Sequence, residues 1–220
     1  MDHLALLRQE LSTFAGYVDR DLSVPVEHCE GWTLRDLVVH LGEGNLWAAT
    51  AVTEMRGDHR PAPPPEELGA WFDSSSRTLV KALEADAASP AWTFAEPRTV
   101  AFWRRRRWLE TVIHRWDAEN ALGLPAQLDP AQSADGVAEV IEMFVPRQVR
   151  KGRCAPLPAA VRFTASDLGV SWLLGPGEPV ATLTGTAPEI FLALWGRAPW
   201  SALSGDHDAA RDVVRGPLVP

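Results

Sequence analysis

The chain has 220 residues, 46% of them hydrophobic and 23% charged, with a formal net charge of -8. That length suits one large domain or a bundle with a small appendage. The acidic balance argues against a nucleic-acid footprint, and no apolar run approaches the roughly 20 residues needed to span a bilayer.

Leu4, Leu7, Leu11, Phe14 and Val18 recur at steps of three and four, which predicts an amphipathic helix over about 2–20. Pro25 and the Cys29-Glu-Gly-Trp32 stretch form a connection. Thr33 then opens a second helix as N-cap, with Asp36 three residues on as a capping-box partner. Leu34, Leu37, Val38 and Leu41 carry its apolar stripe, and Trp47, Val52 and Met55 extend it toward Arg56. Gly42 and Gly44 weaken that helix by about 1 kcal/mol each relative to alanine. A proline-rich loop at 61–65 leads to a third helix at about 66–87, with Leu68, Trp71, Phe72, Leu79 and Leu83 inside. The fourth runs from Ala101 to Leu122 and stops at Gly123, with Pro125 just beyond. A fifth is predicted at 131–149, with Val137, Ile141 and Phe144 facing in.

The pattern changes after Gly152. Short β-rich runs start at Val161, Val170 and Val180, separated by Asp167-Leu-Gly169 and Gly175-Pro-Gly177 turns. Thr186 and Glu189 form a second capping box, and Asp206 starts a last short helix. The expected class is α+β: residues 1–150 as an up-down four-helix bundle plus a fifth helix, and residues 155–220 as a small α+β domain.

Glu110 and His114 lie four residues apart on the fourth helix, so both project from one face. His40 sits at the core edge of the second helix. Inward side chains of facing helices meet in a bundle core, so these three are candidate metal ligands. Three protein ligands with a free position are the arrangement of a catalytic rather than a structural zinc. By spacing alone, a solvated glutamate and a satisfied histidine explain the pattern as well. Asp117 is near the same face and could orient a ligand histidine or pair with a neighbouring arginine. In the run Arg104, Arg105, Arg106, Arg107, one or two members are candidates for holding a substrate or cofactor carboxylate, against the plainer reading of a solvated charged turn. Ten tryptophans against one tyrosine read as core packing, with Trp108 and Trp116 singled out because they flank the Glu110/His114 turn. Cys29 reads as a small buried hydrophobe. His3, His28, His59 and His207 read as surface residues. The two cysteines are too few for a disulfide framework, and the N-terminus lacks the basic and apolar regions of a signal peptide, so a reduced, cytoplasmic setting is expected.

The segment Cys29-Glu-Gly-Trp-Thr-Leu-Arg-Asp-Leu-Val-Val-His40 resembles the N-terminal signature of the mycothiol-dependent maleylpyruvate isomerase family, within the wider DinB-like metal-bundle superfamily. Glu110-Thr-Val-Ile-His-Arg-Trp-Asp117 resembles its second signature. Ala134-Asp-Gly-Val-Ala-Glu139 fits as well, and Leu183 to Arg197 is similar to its sterol-carrier-like C-terminal domain. Glu30 departs from the family, which commonly has proline there. The resemblance implies metal ligands at His40, Glu110 and His114, a divalent metal, usually zinc, and mycothiol, an actinobacterial thiol, as co-substrate. It further implies a catalytic role for Arg197, at the end of the C-terminal Leu-Trp-Gly-Arg motif. The residues' own placement adds Asp117 as a catalytic candidate and sets Arg104, Arg105 and Trp108 beside the cofactor as expectations. A metal-bound thiol is deprotonated, and the thiolate is the nucleophile. The implied activity is therefore an S-transferase or a cis–trans isomerase acting on a small electrophile, as a monomer or homodimer. A non-catalytic metal or ligand carrier and a metal-water hydrolase use the same residues and stand as alternatives.

Overall fold

A computed structural model describes residues 1–220. The chain divides into two compact units, Met1–Gln127 and Leu128–Pro220. No helix is long and apolar enough to cross a membrane.

The first unit is a four-helix bundle: α1 (His3–Ala15), α2 (Leu34–Thr53), α3 (Gly69–Leu83) and α4 (Val100–Ala121). Helix α1 packs on α3 and α4, and so does α2. The apolar stripes read from the sequence are the faces that meet, since Leu7, Phe14, Leu37, Leu41, Phe72, Leu79, Leu109 and Ile113 are all buried. Asp2 caps α1 by accepting from the Leu4 and Ala5 amides. Thr33 and Asp36 form the expected capping box on α2, and Gly123 ends the α4 region at a φ of 66°. Helices α1 and α3 are shorter than their apolar periodicity suggests: Val18 is buried from the turn after α1, and Leu68 from the position just before α3.

The two glycines of α2 serve close packing. A Cβ on Gly42 would lie 2.3 Å from the Trp71 ring, and one on Gly44 would lie 2.6 Å from the Arg107 guanidinium. The lost helix propensity buys approach of α3 and α4 to α2. Tryptophan has its expected core role: Trp47 and Trp103 meet edge-on at 4.9 Å, with Trp92 and Phe94 alongside. Their indole N–H groups are met by backbone oxygens, Trp103 on Trp92 and Trp47 on Gly57.

The second unit begins earlier than residue 155. Helix α5 (Pro130–Glu139) packs on α7 (Ala187–Leu194) of that unit, so the fifth helix belongs with the sheet domain rather than the bundle. Periodicity identified the helix but not its partner: Gly136 lies against the Phe191 ring, where a Cβ would come within 2.3 Å. The predicted single helix at 131–149 is interrupted by a π-turn at Val140–Phe144 before α6 (Val145–Arg150). Pro146 lacks an N–H and would clash with the carbonyl four residues back, which the wider turn accommodates. Strands β1 (Ala160–Ala165), β2 (Val170–Leu174), β3 (Pro179–Gly185) and the two-residue β4 (Ser204–Gly205) form one sheet in the order β2-β1-β3-β4. The β1–β3 pair is parallel and the other two are antiparallel. Helix α7 (Ala187–Leu194), capped by Thr186 and Glu189, buries Ile190 and Phe191. Helix α8 (His207–Val213) follows.

Candidate metal centre

Helices α2 and α4 bring His40, Glu110 and His114 together. His40 Nε2 lies 2.9 Å from Glu110 Oε1, and His114 Nε2 lies 3.4 Å from the same oxygen. The candidate ligand atoms of the three residues all lie within 4.8 Å of one another. His114 is nearly buried, at 7% side-chain exposure, whereas His40 is 39% exposed, so the cluster opens to solvent on the His40 side.

Two nitrogens and a carboxylate oxygen are the donor chemistry of an open zinc-type site. The surroundings suit that use. His114 donates from Nδ1 to Asp117 Oδ2 at 3.0 Å, which directs Nε2 toward Glu110 and His40. Glu110 presents Oε1 to the histidines while Arg106 donates to its Oε2. Burial raises the Glu110 pKa, but Arg106 and the hydrogen bonds to His114 and His40 outweigh it and hold the carboxyl well below its usual range. Burial opposes protonation of His114, yet hydrogen bonds to Asp117, Cys29 and Glu110 push its pKa up to about 10 in the ion-free protein.

Two further residues complete the cluster. The Trp32 ring lies 5.0 Å from the His40 ring and stacks at 6.4 Å on His114. Cys29 is half-buried, and its Sγ reaches Asp117 Oδ2 at 3.7 Å, so it is more than a buried hydrophobe. Cys29, His114 and Asp117 form a second group with potential ligand atoms within 4.8 Å. Both residues belong to the loop before α2, and no local periodicity marks them.

Other expected residues stand elsewhere. Arg104 donates to the Leu83 and Ala85 carbonyls at the end of α3, so its guanidinium is spent on a helix terminus. Trp108 is fully buried and stacks on His3 at 5.0 Å, so it offers no surface to a cofactor. It lies two residues before Glu110, which places it across the helix from the carboxylate. His3 and His28, read as surface residues, rest against Trp108 and Trp116. Arg105 is half-buried on α4. Arg197 lies in the second unit, over the Trp195 ring at 5.6 Å, and donates to the Trp195 carbonyl. The arginine that does touch a candidate ligand is Arg106, whose i,i+4 spacing to Glu110 is visible in the sequence.

The family model described as the mycothiol maleylpyruvate isomerase N-terminal domain matches residues 4–119. The chain belongs to the mycothiol-dependent maleylpyruvate isomerase family. The MDMPI C-terminal domain model matches residues 131–216, and so also begins at the fifth helix. Comparison with curated protein sequences finds no match. Among solved structures, the crystal structure of the mycothiol-dependent maleylpyruvate isomerase is similar over 99% of this chain and 95% of that one, at 16% identity and a TM-score of 0.67. A histidine-to-alanine mutant of it gives the same coverage and TM-score at 15% identity. At that identity the likeness establishes a shared fold across both units.

Proposed function

We propose that this member of the family is a mycothiol-dependent isomerase that works with a divalent metal, acting on a small unsaturated acid of the maleylpyruvate type. The observation that carries the metal is the convergence of His40, Glu110 and His114 from two helices onto one point. The family match and the fold shared with an isomerase of that name support the thiol and the reaction type.

His40, Glu110 and His114 would hold a divalent cation, which would supply Lewis-acid chemistry favouring the deprotonated form of a thiol at neutral pH. The thiol co-substrate supplies a nucleophile whose reversible addition to a cis double bond permits rotation. The protein's own contribution is positional. Asp117 fixes the His114 ring and its tautomer. Arg106 restrains Glu110 so that one oxygen faces the histidines. Trp32 covers the two rings and limits water on that side, while half-exposed His40 marks the edge from which the site is reached.

The test has two parts. Purified protein should carry close to one divalent metal per chain, and His114→Ala should lose it. With metal and mycothiol present, maleylpyruvate should convert to its trans isomer, and the alanine variant should not accelerate that conversion. Thiol-independent turnover, or full metal content in the variant, would overturn the reading.

A further inference from the structure

Arg107 is 4% exposed, yet it faces no carboxylate. Its guanidinium donates to the Leu41 carbonyl at 3.0 Å and to Asn45 Oδ1 at 2.9 Å, both neutral acceptors. Its Nε is buried and has no partner. Other arginines of α4 are treated differently: Arg106 pairs with Glu110, and Arg115 with both Glu10 and Glu119. The carboxylate whose charge reaches Arg107 is Glu110, and that group is already engaged by Arg106 and His40.

A cation removed from water without a counter-charge is unfavourable, and chains normally avoid it. Here the chain gives up helix propensity beside it: a Cβ at position 44 would lie 2.6 Å from the guanidinium, so the glycine leaves that group room where it sits. Burial draws the Arg107 pKa down to about 10, so the group stays a cation at neutral pH, held by neutral acceptors and with no carboxylate in ion-pair contact. Local rules broken without internal compensation point to a functional site. The location agrees. Leu41, whose carbonyl Arg107 holds, directly follows His40, and Arg107 lies one helical turn before Glu110.

We propose that Arg107 forms a carboxylate-binding subsite beside the candidate metal centre, and that the bound acid supplies the counter-charge the fold leaves out. For the identity of the acid as the isomerised substrate, this rests on the reading above. The binding itself does not. The sequence pointed to the arginine run as carboxylate-holding and favoured Arg104 and Arg105; burial and pairing move that role to Arg107.

The test uses the full-length protein, stripped of metal with 1,10-phenanthroline and dialysed, with maleate as probe and sodium chloride of equal ionic strength as control. Maleate at ten times its dissociation constant should raise the wild-type melting temperature by about 3 °C. Arg107→Met should melt at or above the wild-type temperature without maleate and show no rise with it, since an unmatched buried charge has been removed. Arg107→Lys keeps the charge but loses the planar fork, and calorimetry should find its maleate affinity at least tenfold weaker. A methionine variant that fails to fold or melts well below wild type makes Arg107 structural and overturns the proposal. So does a lysine variant that binds maleate as wild type does. Neither metal nor thiol is present, so failure here leaves the isomerase reading standing, and failure of that reading leaves anion binding measurable.

Discussion

Asp117 Oδ2 stands 3.0 Å behind His114 Nδ1, with both side chains buried, on the side of the imidazole away from Glu110. The carboxylate therefore fixes which nitrogen faces the cluster and how the ring is turned. Asp117→Asn should weaken divalent metal binding by about 10- to 100-fold while leaving the helical content intact. Competition with a chromophoric chelator, alongside far-ultraviolet circular dichroism, measures both. Unchanged affinity would mean that His114 needs no orienting partner.

Metal binding should release protons. With its pKa at about 10, His114 carries a proton at neutral pH in the ion-free protein, and Nε2 must lose it to ligate. The sign follows: apparent affinity rises with pH up to about 10, by as much as tenfold per pH unit from this group. Calorimetry at pH 7.5 in buffers of different ionisation enthalpy should show net proton release on zinc addition, and His114→Ala should abolish it.

Arg115 ties α1 to α4 by donating to Glu10 at 2.6 Å and Glu119 at 2.7 Å, while Tyr17 donates to Glu119 at 2.6 Å. Both carboxylates are about nine-tenths buried. Arg115→Ala would strand them, and the expected loss is about 3–5 kcal/mol in urea unfolding. The candidate ligands His40, Glu110 and His114 lie away from this face of α4, so metal stoichiometry of the folded variant should not change.

Gly42→Ala sets helix propensity against packing. Propensity alone favours alanine by about 1 kcal/mol, but the added carbon would meet the Trp71 ring at 2.3 Å. Overpacking of this kind costs about 1–3 kcal/mol, so the variant should melt lower than wild type. A higher melting temperature would show that Trp71 moves aside without cost.

Much of this molecule was written in local patterns. Apolar steps of three and four gave the bundle helices, Thr33/Asp36 and Thr186/Glu189 marked two helix starts, and β-rich runs gave three of the four strands. The one-turn spacing of Glu110, His114 and Asp117 placed them on one face before any packing was known. These features depend on residues within a turn or two, so the sequence alone can state them. The tertiary structure decided what crosses between elements. It set His40, 70 residues from Glu110, against that carboxylate. It folded Cys29 and Trp32 onto the cluster from a loop without periodicity. It gave the fifth helix to the second unit through the contact of Gly136 with Phe191. And it sorted consecutive arginines: Arg104 to a helix end, Arg106 to Glu110, and Arg107 to a buried place on neutral acceptors. Neighbouring arginines point about 100° apart around a helix, so chemically identical side chains differ only in what the other helices bring to meet them.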